Sequence, residues 1–185
     1  GLRIINDAPQ INALAMEVPD SGGVMLVPAF TGWGPPHWDP KARGLLIGLT
    51  RDSQRAHIAR AALEGIALAV TGLLRGAAEA LGAPLNTIAV DGGAAASAVL
   101  LQAQADSAGV QVVRPANLES TALGVALMAG EGAGVLSDLG PIATAVRASS
   151  TQVSPQRDAS ERERWCRRWD QAVDRCLQWH GDGSL

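Results

Sequence analysis

Cysteine is scarce in this 185-residue chain: Cys166 and Cys176 are the two present, both in one helical stretch of the last fifth, without metal-ligand spacing. That excludes a disulfide-stapled module and a structural zinc finger, and it fits a reducing compartment. An excess of one charge is missing too. Fifteen basic residues against 18 acidic ones leave a net charge of −3 with no long basic run, so the electrostatic footprint of a nucleic-acid binder is lacking. No uninterrupted apolar segment reaches the roughly 20 residues a bilayer span requires, and the first residues lack the regions of a signal peptide. The expectation is therefore a cytoplasmic chain with neither nucleic acid nor membrane as partner. Neither the dinucleotide G-x-G-x-x-G pattern nor the G-x-x-x-x-G-K-[ST] phosphate loop occurs. The chain opens Gly1-Leu2-Arg3-Ile4-Ile5, with no initiating Met and already in amphipathic helix, which reads as a piece of something longer.

What is present is 47% apolar residues in a chain of one-domain size, enough for a real core. Residues 85–108 organise the rest. An apolar run, Thr87 to Val90, breaks at Asp91-Gly92-Gly93 and passes into a helical stretch, Ala94 to Ala108. Paired glycines at a strand-to-helix junction let backbone approach a ligand, and a helix start offers free N–H groups suited to phosphate. The plainer reading is a turn of the chain and nothing more.

Residues 2–16 carry a loose helical pattern interrupted by Pro9, which predicts two short helices. Val24 to Pro28 reads as a buried strand, and Ala29 to Gly44 as a rigid loop holding Phe30, Trp33 and Trp38. His37 and Asp39 in that loop invite a metal or acid–base reading, but without a third ligand they are expected to make ordinary loop hydrogen bonds. A second strand, 45–49, precedes a long helix over 53–82, capped by Asp52 or Ser53. Its apolar stripe is Ile58, Ala62, Ile66, Ala69, Leu73, Ala77 and Leu81, beside small residues suited to close packing. Glu64 next to the stripe is expected to pair with Arg60. A strand over 110–113 and a small-residue helix over 122–129 follow. The order of strands and helices from residue 45 implies a largely parallel sheet, with ligands beyond the carboxyl ends of its strands. Asp91-Gly92-Gly93 and the loop before Thr121 lie at that edge. Residues 134–157 read as a linker, and 157–179 as a charged helix whose Trp165, Cys166, Trp169, Val173, Cys176 and Leu177 pack into the core, with Glu163 paired to Arg167.

Several stretches together resemble the FGGY carbohydrate kinases. Gly44 to Leu49, a seven-residue spacer and His57 to Glu64 are similar to the family's second signature. Val27 to Gly32, Pro36, Trp38-Asp39-Pro40 and Ala42-Arg43-Gly44 resemble the glycerol-phosphorylating branch, as distinct from the xylulose and gluconate branches. Val90 to Ala94 and Thr121 to Gly124 complete the likeness, which covers roughly residues 1–135. The resemblance implies an α/β, actin-like ATPase (ribonuclease-H-like) fold, of which this chain is the later part of the second domain: residues 1–140, then a surface linker over 141–157 and a C-terminal helix over 158–180. It further implies ATP and Mg²⁺, with Gly92 and Gly93 at the phosphates and Ser97 toward the adenine end, where that branch usually has Asn. The catalytic Asp, the glycerol pocket and the domain's first strands are expected upstream of Gly1, so no catalytic or metal-binding residue falls in the chain, which alone is expected to be inactive. A homo-oligomer is implied as well. The competing readings are a kinase for another polyol or for xylulose, and a non-catalytic nucleotide-binding or assembly fragment.

Overall fold

The helix around which the molecule is built, α2 (Arg55–Leu81), runs 27 residues because its interior has no proline and is rich in alanine and leucine. It begins within two residues of the predicted start. Gln54, rather than Asp52 or Ser53, occupies the cap position, its N–H donating 3.0 Å to His57 Nδ1, while Ser53 Oγ accepts from Thr50 N–H in the preceding turn. The helix ends on Gly82 at φ 65, a left-handed conformation that glycine adopts freely. The computed structural model describes residues 4–179.

α2 packs on α1 (Gln10–Ala15), β1 (Met25–Val27) and α3 (Ala98–Ala108). It does so through its small side: Ala56, Ala59, Leu63, Ala67 and Leu68 are buried, whereas Ile66, Leu73 and Leu81 of the predicted stripe are 41%, 51% and 68% exposed. The closest approach is at Gly65, where a Cβ would lie 2.1 Å from the Leu26 carbonyl oxygen. Glu64 is buried and pairs with Arg60 at 2.8 Å, as expected from the i, i+4 spacing. By length and composition α2 is also long and apolar enough to cross a membrane, which the sequence reading did not foresee. Its partly buried ion pair and its contacts with four other elements mark it as a core helix.

The strands form two small sheets. β1 pairs antiparallel with β2 (Leu45–Ile47), Leu26 opposite Leu46. In the other sheet β3 (Thr87–Ala89) runs parallel to β4 (Gln111–Arg114), with Ile88 opposite Val112, and β4 pairs antiparallel with β5 (Thr151–Val153). The predicted crossover from β3 through α3 to β4 is therefore present, but the expected mostly parallel sheet shrinks to that one pair. The loop from Ala29 to Gly44 turns the chain back on itself, so β2 lies against β1 instead of joining β3. Two further expectations give way. Residues 4–9 form bends and turns, leaving α1 as the one helix before β1 among the described residues, with Pro9 at its start rather than in its interior. Residues 140–153, read as linker, form α5 (Gly140–Ala148), begun by Pro141, and β5. Between them and β4 lies α4 (Ser120–Gly132), none of whose residues is buried.

α6 (Ala159–Cys176) closes the core with Trp165, Cys166, Trp169, Val173 and Cys176 buried, as its pattern predicts. Trp169 meets Trp33 with ring centroids 6.1 Å apart, and the Arg157 guanidinium lies 4.3 Å over Trp165. The buried carboxylate of Asp106 accepts from the backbone N–H groups of Gln156 and Arg157 and from Gln102 Nε2, which fixes the segment entering the helix. Glu163 and Arg167 pair at 3.3 Å.

The start of α6 has a reciprocal cap: Asp158 Oδ1 accepts from Glu161 N–H at 2.8 Å, and Asp158 N–H donates to Glu161 Oε2 at 3.3 Å. The Glu161 N–H, with the Ser160 hydroxyl, holds the Asp158 carboxyl below its ordinary value of 3.8. A carboxyl depressed in the folded state stabilises fully above its unfolded value and loses that contribution as pH falls through the folded one. Asp158→Ala is therefore expected to melt below the unsubstituted chain at pH 7, with the gap closing below about pH 3.8. Thermal melts across pH 2.5 to 7 check this, and a gap independent of pH would contradict it.

Candidate functional site

The parallel pair β3–β4 puts its carboxyl ends together, and three features meet there. The first is the glycine turn. Val90 N–H still bonds to Val113 O at 3.0 Å; Gly92 then turns at φ 79, its N–H donating to Leu118 O at 2.9 Å. Gly93–Ala96 follows as one turn of 3₁₀ helix, closed by Ala95 N–H to Gly92 O at 3.0 Å and Ser97 N–H to Ala94 O at 3.1 Å. The N–H groups of Gly93 and Ala94 head this turn and have no acceptor within it. No heavy atom lies within 4 Å of a Cβ built on either glycine. Space is therefore open over both residues.

The second feature is the start of α3. The predicted helix over 94–108 is broken at Ser97, which caps α3 and is 8% exposed. Its Oγ accepts from Leu100 N–H at 3.2 Å and donates to Asn12 Oδ1 at 2.7 Å, and that oxygen also accepts from Val99 N–H at 3.3 Å. Two α3 donors next to the turn, those of Val99 and Leu100, are thus satisfied by side chains. Asn12, on α1 and 85 positions from Ser97, escaped the sequence reading because no local signal links the two.

The third feature is the start of α4, where Glu119 stands at the cap position without a side-chain cap. The Gly92–Leu118 bond ties this start to the glycine turn, so the two stretches expected at the sheet edge do come together. Arg114, the last residue of β4, completes the edge: its Nη1 donates to Ala95 O at 3.4 Å, and its buried Nε has no partner.

His37 and Asp39 lie elsewhere, in the loop before β2. Asp39 accepts from Lys41 N–H and Gln178 N–H, which together with the neighbouring backbone hold its carboxyl low, Gln178 contributing most. These are the loop hydrogen bonds expected of it. Among the described residues no group of three or more His, Cys, Asp or Glu side chains gathers to hold a metal ion. Burial pushes the Cys166 and Cys176 thiols up, so both are poor nucleophiles. An apolar cleft of about 500 Å³ between α2, α6 and the loop around Trp33 shares no residue with the glycine turn.

Residues 5–133 match the C-terminal domain of the FGGY family of carbohydrate kinases. A glycerol kinase of Citrifermentans bemidjiense is 50% identical over 179 residues, which cover 97% of this chain and 36% of that protein. One of Aromatoleum aromaticum gives the same identity and coverage. The chain thus spans about a third of the length of the curated relatives it matches. Among solved structures, Plasmodium falciparum glycerol kinase with ADP superposes with a TM-score of 0.85 at 28% identity, over 95% of this chain and 35% of that one. Rhodospirillum rubrum xylulose kinase superposes less well, with a TM-score of 0.63 at 28% identity over 90% of this chain and 33% of that one.

Proposed function

We propose, since the chain belongs to the FGGY family of carbohydrate kinases, that it is the C-terminal, nucleotide-holding part of an enzyme that transfers the γ-phosphate of ATP to glycerol, giving glycerol 3-phosphate. The observation that carries the reading is the open glycine turn at the carboxyl edge of β3 and β4, whose leading N–H groups have no acceptor within the turn. Glycerol rather than xylulose is supported by the 50% identity to glycerol kinases and by the lower TM-score of the xylulose kinase.

In this reading Gly92 sets the turn, and the N–H groups of Gly93 and Ala94 meet the phosphate oxygens without a side chain in the way. Ser97 stands toward the adenine end. Its hydroxyl proton is already given to Asn12, so it acts by fixing the start of α3 rather than by reaching the base. The Mg²⁺ that the family implies has no acidic cluster to receive it among the described residues. The chain's own contribution is thus confined to the nucleotide. Phosphoryl transfer rests on positioning and charge stabilisation by groups around both reactants, and the base that takes the glycerol proton is assigned to the part of the relatives that this chain does not match.

Incubated with ATP, Mg²⁺ and glycerol, the 185-residue chain is accordingly expected to form no glycerol phosphate above a blank. Product above the blank would overturn this division of labour. A cytoplasmic location and a homo-oligomeric parent belong to the same proposal, and the free, buried thiols of Cys166 and Cys176 agree with the first. Sedimentation of the parent enzyme tests the second.

A further inference from the structure

Arg114 is the one basic residue between Arg75 and Arg147, and it stands at the end of β4 beside the glycine turn. It is partly buried, and among the described residues no ion pair engages it. The carboxylates that flank the turn, Asp91 and Glu119, are exposed. Asp106 is committed to Gln156, Arg157 and Gln102. The guanidinium makes one long bond, Nη1 to Ala95 O at 3.4 Å, and leaves Nε buried and unpaired. An orphaned charged donor costs free energy unless something else accepts from it or uses its charge. Without this cation the turn would face a phosphate with only acidic side chains in the adjoining sequence, an unfavourable field for a polyanion.

We propose that Arg114 is a further residue of the nucleotide site: it fixes the 93–96 turn through the Ala95 carbonyl and supplies the positive charge that a nucleoside di- or triphosphate needs there. Arg suits the role because guanidinium stays charged and offers five donors in a fixed plane. The proposal rests on the reading of the turn as a phosphate site, and it makes Arg114 a positioning and charge-compensating residue, not a catalytic one.

Calorimetric titration of the 185-residue chain with ADP and with adenosine tests it, using the unsubstituted chain, Arg114→Gln, Arg114→Lys and Gly93→Val. Loss of a charged hydrogen-bonding group is expected to weaken ADP about 10- to 100-fold in Arg114→Gln, with adenosine within about twofold because it carries no phosphate. The ADP affinity of Arg114→Gln should also depend less on salt, and Arg114→Lys, which keeps the charge and provides the control for folding, should recover most of it. Equal weakening of ADP and adenosine would make Arg114 merely structural and overturn the proposal, as would unchanged ADP affinity. If the unsubstituted chain binds no ADP, the nucleotide reading falls and the proposal with it. If that chain binds ADP, Gly93→Val does not, and Arg114→Gln binds normally, the proposal alone falls.

Discussion

Gly93→Val is expected to abolish ADP binding while leaving the melting temperature nearly unchanged. The two halves of that result come from one geometric fact. A Cβ at position 93 meets no heavy atom within 4 Å, and Gly93 does not share the positive φ of Gly92, so the fold itself does not require glycine there. A branched side chain would occupy only the open space over the turn. If that space holds phosphate oxygens, two charge-assisted N–H bonds are lost, each worth about 1.5 to 3 kcal/mol, and affinity falls by at least about 100-fold. Gly92→Val would be a poorer test, because φ 79 makes any side chain there strained whatever the ligand does. Calorimetry paired with a thermal melt reads both halves. Undiminished ADP affinity in a folded variant would remove the turn from the site.

The second large effect concerns the packing of α2, where two glycines in one helix are expected to respond to alanine with opposite signs. Intrinsic helix preference favours alanine over glycine by about 1 kcal/mol. Gly76 is exposed with nothing within 4 Å of its built Cβ, so Gly76→Ala should gain most of that. At Gly65 the same methyl would fall 2.1 Å from the Leu26 carbonyl oxygen and 3.5 Å from Trp169 Cζ3. Backbone cannot rotate away as a side chain would, so α2 must lift off β1, opening contacts across the whole core cluster. Overpacking typically costs about 1 to 3 kcal/mol, and the upper end or beyond where backbone rather than a side chain must yield, which outweighs the helix preference. Gly65→Ala is thus expected to lose at least about 2 kcal/mol in chemical denaturation. A Gly65→Ala variant as stable as Gly76→Ala would mean that the α2–β1 contact is looser than described.

These glycines also show what the sequence reveals and what it hides. The extent of α2 was legible because 27 residues without proline leave few alternatives. Which side of it faces inward was not, since both sides are apolar and close packing selects small residues: Ala59 and Ala67 are buried while Leu73 and Leu81 stay exposed. The glycine turn could be read from an apolar run broken by Asp91-Gly92-Gly93. The 3₁₀ turn and the cap at Ser97 could not, because Asn12, 85 residues away, completes that cap. β5 escaped because Thr151–Val153, two of whose three residues are polar and exposed, offers no apolar run to mark a strand. The antiparallel β1–β2 pair depends on where the intervening loop returns the chain, which composition does not encode. Arg114 left one sequence signal, its isolation among 71 residues without another Lys or Arg, which gains meaning only once β4 sets it beside the turn.

The most direct measurement is an amide and indole chemical-shift titration of the isotope-labelled chain with ADP. Binding at the glycine turn predicts shifts of the Gly92, Gly93 and Ala94 amides that saturate together, with the Trp33 and Trp169 indole signals unmoved. Shifts concentrated at Trp33 and Trp169, which line the apolar cleft between α2 and α6, or none at the turn at saturating ADP, would contradict it.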